Sequence, residues 1–274
     1  MSEQPYRGRI APSPTGYLHL GHAKTFWTAF QRCQNSNGFL TYRDEDIDFH
    51  RCKDIFSQAA IDDLKQLGLN WDEGPVKQSQ RSAIYIEVLE KLVSLGLAYP
   101  CESSRKDIKE HPDTILSAEG ESIFPKALRP DPSSPTFPLN LKTNWRFVVP
   151  DHRSVSFSDG RQGIKSYNCQ ADFGDFLLWR KEGMPSYELA VVVDDIDMRI
   201  TEVVRGADLL VSTARQLLMY EALKASPPAF YHEDLVTDES GERLAKRKDS
   251  LALRTLFAEG HSSDSIRRMW TAHP

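Results

Sequence analysis

At 274 residues the chain can bury a large core, and usual domain sizes admit either two domains or one carrying a sizeable insertion. Its 40% hydrophobic and 27% charged residues exclude disordered and fibrous classes. A formal net charge of −5 gives no global attraction to nucleic acid, so any RNA partner has to be gripped by local basic patches.

The N-terminal MSEQPYRGR lacks the apolar centre of a secretion signal. No later apolar run approaches the roughly 18 residues of a membrane span, so the expectation is a cytoplasmic protein with no membrane partner. Next comes strict alternation: RGRIA reads as a strand, residues 21 to 34 as a helix ending near Gly38, FLTYR as a strand, and residues 52 to 67 as a helix ending near Gly68. Residues 79 to 95 form a further helix, with Ile84, Val88, Leu89, Leu92 and Leu95 at helical spacing and Gly96 beyond it. Such alternation predicts a doubly wound parallel sheet of Rossmann type, with ligands at the carboxyl ends of the strands.

After Tyr99 the pattern changes. Between Cys101 and Gly183 prolines accumulate, and WRFVV and SVSFSDG read as short strands with no long periodic helix nearby. This predicts a core in two halves, 1–98 and 184–274, interrupted by an inserted domain at 99–183. Regularity returns with YELAVVVDD, RITEVVRG and the helix STARQLLMYEAL, where Ser212 or Thr213 can cap the first amides. The tail holds a turn, a basic loop and a short helix. Cys33, Cys52, Cys101 and Cys169 lack framework spacing, which fits reduced thiols.

Three stretches carry chemistry. In GRIAPSPTGYLHLGHAKTFWTAF, Pro12, Pro14 and Gly16 stiffen and bend a loop that leaves a strand end and starts a helix near Gly21. A helix start attracts phosphate, and His19 and His22, three residues apart, flank the same turn. In RLAKRKDS, residues 243 to 250, four basic residues crowd a loop, and Lys246 is the candidate for closing over a phosphate chain. In YRDEDID, Asp44, Asp46 and Asp48 lack the glycine and downstream glutamate of a calcium loop, whereas Glu45 is suited to pair with an ammonium group. No G-x-G-x-x-G follows the first strand, which argues against nicotinamide binding.

In order, GRIAPSPTGYLHLGH, YRDEDID, YELAVVVDD, ITEVVRGADLLVSTARQ and RLAKRKDS resemble the signature segments of class I glutamyl-tRNA synthetases. His-Leu-Gly-His is similar to their HIGH motif and Arg-Leu-Ala-Lys-Arg to their KMSKS loop. The resemblance implies a class I catalytic core with an inserted α+β domain of the acceptor-binding type, making glutamyl-adenylate from glutamate and ATP, with Mg2+. It implies that Arg9, Tyr187 and Arg205 receive the side-chain carboxylate of glutamate. Glu45, with Ala11 and Ser13, would hold the α-amino end, while His19, Gly21, His22 and Lys246 serve ATP. The charges agree, since a ligand with two carboxylates and one ammonium calls for arginines and a carboxylate.

Two departures bear on the branch of the family. Only 28 residues follow Lys246, which leads us to expect no anticodon-binding body, and Val191 stands where full-length synthetases usually carry asparagine. Both features resemble the short paralogues, the glutamyl-Q tRNA(Asp) synthetases, which attach glutamate to queuosine in the anticodon of tRNA(Asp). Many of those also bind zinc in the insertion, at positions that correspond here to Cys101, Ser103, Phe124 and Leu128, so zinc is not expected. A truncated or non-discriminating synthetase charging a tRNA 3′ end, and an inactive synthetase-like RNA-binding protein, are the alternatives.

Overall fold

A computed structural model describes residues 5–131, 137–236 and 252–271. In chain order the first half contains β1 (Arg7–Ile10), α1 (Leu20–Asn35), β2 (Phe39–Asp44), α2 (Asp54–Leu67), β3 (Glu73–Lys77) and α3 (Ser82–Ser94). The middle supplies β4 (Ala98–Cys101), α4 (Arg105–Glu110), β5 (Asn144–Phe147), β6 (Ser154–Asp159), β7 (Gly163–Asn168), β8 (Leu177–Arg180) and β9 (Met184–Pro185). The second half holds α5 (Tyr187–Asp197), β10 (Glu202–Gly206), α6 (Leu210–Leu223), β11 (Ala229–Glu233), α7 (Leu253–Ala258) and α8 (Ser263–Thr271).

The alternation expected of the first half is present. β1, β2 and β3 pair in parallel, and β10 and β11 form a second parallel pair. The two halves meet where the Thr201 amide donates to the Arg7 carbonyl at 2.9 Å and the Arg7 amide donates to the Thr201 hydroxyl at 2.8 Å. Helix α1 lies over this seam because Leu20, Ala23, Phe26, Ala29 and Cys33 recur every three or four residues and are buried. Beneath it, Ile10, Leu40 and Tyr42 alternate inward on their strands and join α2, α7 and α8 in one apolar core.

A larger core gathers α3, α5 and α6 around Trp145 of β5 and Leu178 and Trp179 of β8. There β4, β5, β8 and β9 form an antiparallel sheet. The β6–β7 hairpin, also within 99–183, instead leans on the core, with Asp159 of β6 pairing in parallel with Phe230 of β11. Residues 99–183 therefore extend the β10–β11 pair as well as forming most of a separate antiparallel sheet.

Several boundaries differ from expectation. The helix predicted over 52–67 begins at Asp54, and the one predicted over 79–95 is a 3-10 turn at Gln78–Gln80 followed by α3. Neither Ser212 nor Thr213 caps α6, because a 3-10 turn at Ala207–Leu209 leads into the helix and carries both residues into its first turn. Their hydroxyls are thereby freed for other partners. Among the described residues, no helix is long and apolar enough to cross a membrane.

Candidate active site

The carboxyl ends of β1, β2 and β10 surround a cavity of about 460 Å3, lined by Arg9, Ala11, Ser13, His19, Gly21, His22, Glu45, Tyr187 and Arg205. Residues drawn from four sequence stretches thus converge. Its loop wall is anchored to β2 and α2, for the Glu45 amide donates to the Pro12 carbonyl at 2.9 Å and the Lys53 amide to that of Pro14 at 3.1 Å. Lys246 lies outside the described residues. Val236 lines the cavity and Ala252 bridges to His19, so both flanks of 237–251 border the site.

At one end is the start of α1, at Leu20, beside Gly21 as expected. His19 is its N-cap: Nδ1 accepts from the Gly21 amide at 3.2 Å, while His22 Nδ1 accepts from the His19 amide at 3.4 Å. The two histidines make a reciprocal capping box, a role the sequence reading missed because imidazole lies outside the usual capping set. With Nδ1 accepting in both, the neutral rings carry their protons on Nε2 and become donors. Burial lowers the His19 pKa against the pull of Asp208. His22 is open to the cleft, yet the surrounding walls and the His19 ring, stacked at 3.7 Å, hold it below the ordinary histidine range. The site therefore offers neutral N–H donors, beside the positive end of a helix.

At the other end lies a buried network of charge. Arg43 donates to Asp195 at 2.6 Å and to Glu45 at 2.9 Å. Arg9 donates to the Val204 carbonyl at 2.8 Å and faces Asp195 at 3.8 Å, but its buried Nε has no hydrogen-bond partner among the described residues. Burial disfavours the Arg9 charge, with Asp195 offsetting part of that. It also raises the pKa of Glu45 against Arg43 and Arg9, and that of the Tyr187 phenol to about 12 against Arg205.

Arg205 differs from both neighbours. Its Nε donates to His232 Nε2 at 3.1 Å, Nη2 to Thr213 Oγ1 at 2.6 Å and Nη1 to Tyr187 Oη at 3.3 Å, all neutral acceptors. Among the described residues it makes no ion pair. Arg9 and Arg43 are matched by Glu45 and Asp195, so Arg205 supplies the unmatched positive charge expected of an anion pocket. Thr213, His232, Asp195 and Arg43 were not identified as site residues from sequence.

Two other acidic residues of YRDEDID serve structure. Asp46 accepts from the Ser79 amide and hydroxyl, and Asp48 pairs with Arg51. No group of three or more His, Cys, Asp or Glu suited to a metal occurs among the described residues. Cys101 and Phe124 pack with Tyr99 and Ile108, and Leu128 lies against them. One thiol, the Ser103 hydroxyl and two apolar side chains do not fit tetrahedral zinc. Val191 is buried in α5 away from the cavity.

Comparison with known proteins agrees with this geometry. The family model for the catalytic domain of class I tRNA synthetases (E and Q) matches residues 6–267. A glutamyl-Q tRNA(Asp) synthetase of Nitratidesulfovibrio vulgaris is 40% identical over 95% of this chain and 83% of its own length. One of Rhodopirellula baltica is 38% identical over 96% and 83%. The crystal structure of a glutamate-tRNA synthetase from Elizabethkingia anophelis superposes with a TM-score of 0.75 at 25% identity, over 94% of this chain and 54% of that one. With nearly its whole length matched, the chain belongs to the class I tRNA synthetase family of the glutamate and glutamine type.

Proposed function

We propose that the protein activates L-glutamate with ATP and transfers the glutamyl group to queuosine in the anticodon of tRNA(Asp). The observation that carries this reading is one cavity with an unmatched buried arginine at one end and paired neutral imidazoles on a helix start at the other. Arg205, Tyr187 and Arg9 would receive the side-chain carboxylate, with the free Arg9 Nε supplying a further donor. Glu45, with Ala11 and Ser13, would hold the ammonium end. The ligand's α-carboxylate oxygen then attacks the α-phosphorus, forming the adenylate as the bond to pyrophosphate breaks. His19 and His22 would donate to the phosphate oxygens as charge builds there, beside Gly21, while Lys246 neutralises the departing pyrophosphate. Mg2+ would arrive with the ATP. In the second step an acceptor hydroxyl attacks the glutamyl carbonyl and AMP leaves.

The names of the Nitratidesulfovibrio and Rhodopirellula relatives support tRNA(Asp) as acceptor, and queuosine offers a vicinal diol like that of a terminal ribose. We read 99–183 as the insertion between 1–98 and 184–274, supported by the separate β4–β5–β8–β9 sheet. We also read it as zinc-free; about one zinc per chain in chelator-washed protein would overturn that. The function is tested with labelled glutamate, ATP and tRNA pools with and without queuosine. Label on an anticodon fragment after nuclease digestion is expected. Label on the 3′-terminal adenosine would favour a tRNA-charging synthetase instead, and no glutamate-dependent pyrophosphate exchange would refute activation.

A further inference from the structure

Behind Arg205, on the side away from the cavity, stand two groups that the proposed chemistry does not use. His232 in β11 and Asp159 at the end of β6 have fully buried side chains, neither lines the cavity, and they meet at 2.6 Å between Nδ1 and Oδ2. The order of hydrogen bonds is dictated by Arg205, which can only donate. Because its Nε donates to His232 Nε2, that nitrogen must present its lone pair, and the ring proton must sit on Nδ1 facing Asp159.

Asp159 is built to remain an anion. Its Oδ1 accepts from the amides of Gln162 at 2.8 Å, Arg161 at 2.9 Å and His232 at 3.2 Å. Burial opposes the charge, but these amides and the His232 ring outweigh it and hold the pKa below the ordinary aspartate range. His232 is held neutral, with its pKa lowered to about 4 by burial and by Arg205 despite the pull of Asp159.

We infer that Asp159 and His232 are positioning residues for Arg205: the carboxylate fixes the imidazole as its neutral Nδ1–H tautomer, which orients the guanidinium without pairing off its charge. The physical reason lies in the spacing. A carboxylate bonded directly to Arg205 would compete with the ligand's own carboxylate for the same donors. An interposed neutral ring passes on orientation and keeps the anion one side chain farther away. Asp159 belongs to the inserted segment, and the turn after it is tied down by the Gly160 amide donating to the Phe230 carbonyl at 2.8 Å. The insertion thereby reaches the amino-acid pocket from behind and sets its geometry.

This inference rests on the proposed reading of Arg205 as the carboxylate receptor, so its test has one arm that needs no substrate. Nitrogen-15 NMR of histidine-labelled protein at neutral pH, assigned through the signals lost in His232→Gln, is expected to show the His232 ring neutral and protonated on Nδ1. An imidazolium, or a proton on Nε2, overturns the inference even if the enzyme activates glutamate. In the second arm Asp159→Asn and His232→Gln are assayed by glutamate-dependent pyrophosphate exchange. A rise of about tenfold in the KM for glutamate, with the KM for ATP within about twofold of wild type, is expected for the loss of one oriented charged hydrogen bond. An unchanged glutamate KM in folded variants, or glutamate and ATP KM rising together, overturns it as well. If the wild type activates no glutamate, the proposed function fails and the tautomer alone decides the positioning.

Discussion

His19 caps α1 and, on the proposed reading, also serves ATP, and a pair of substitutions divides the two roles. Its Nδ1 caps α1 through the Gly21 amide, and its Nε2–H, which has no hydrogen bond among the described residues, would donate to a phosphate oxygen in the cavity. His19→Ala loses both. Removing an N-cap costs about 1 kcal/mol, which at this chain length lowers Tm by roughly 2–4 °C. Losing a donor to a developing charge removes about 2–3 kcal/mol of transition-state stabilisation, or a factor of about 30–160 in rate. His19→Ser keeps a good cap but is too short to replace Nε2. It should melt within about 1 °C of wild type and yet lose the same factor of about 30–160 in glutamate-dependent pyrophosphate exchange. Thermal melts and exchange rates on the three proteins decide the matter. Near-normal exchange in His19→Ser would reduce His19 to a helix cap and refute its assignment to ATP.

Arg205→Lys keeps the positive charge but cannot reproduce the three-way contact with His232, Thr213 and Tyr187. Its kcat/KM for glutamate should fall about 30–160-fold with the KM for ATP unchanged, and a change below about threefold would contradict the pocket. Gly21→Ala should leave Tm unchanged or raised, since alanine favours helix, while lowering exchange at least about tenfold, because its Cβ would press on the His19 ring at 3.2 Å. Retained activity there would mean that the His19 ring need not stay where it is. The pH dependence of stability follows from His232, whose folded pKa of about 4 lies below the ordinary 6.5. The unfolded chain takes up the proton first, so stability is fully present above about pH 6.5 and is lost as pH falls toward about 4. At pH 5 the loss is on the order of 2 kcal/mol. Melting curves of wild type and His232→Gln should converge on acidification, and parallel curves would refute the buried neutral ring.

Local patterns carried most of the fold and part of the site. The alternation of β1 to α3 was legible because each helix has an apolar face at helical spacing and a glycine just past its end. The loop-to-helix turn, the two histidines and Glu45 were legible because their meaning lies within a few residues. What remained hidden depends on distance along the chain. Arg43 meets Asp195 across 152 residues, and His232 meets Asp159 across 73, and neither member of either pair stands in a pattern that predicts the other. Ser212 and Thr213 were misread for a related reason. Both residue types favour caps, but the 3-10 turn ahead of α6 carries Thr213 to where its hydroxyl meets Arg205 and His232. Residue type set the local preference, and tertiary packing overruled it.

The electrostatics of the pocket explain why so many charged side chains can be buried together. Arg9 and Arg43 against Glu45 and Asp195 form a nearly balanced set, in which Arg43 satisfies both carboxylates and is wholly buried. In such a set the guanidiniums and carboxylates largely compensate one another, which makes their burial tolerable, while the Arg9 Nε that lacks a partner among the described residues leaves one donor for a ligand. Arg205 stands outside this balance, held by a phenol, a hydroxyl and an imidazole that orient it and leave its charge in force. A ligand carboxylate can compensate that charge and an amide cannot. On the proposed reading, preference for an acid over its amide would originate in the ring interposed before Asp159 as much as in the arginine itself. Replacing that neutral ring by a direct carboxylate would keep Arg205 in place and remove its reason to bind an anion.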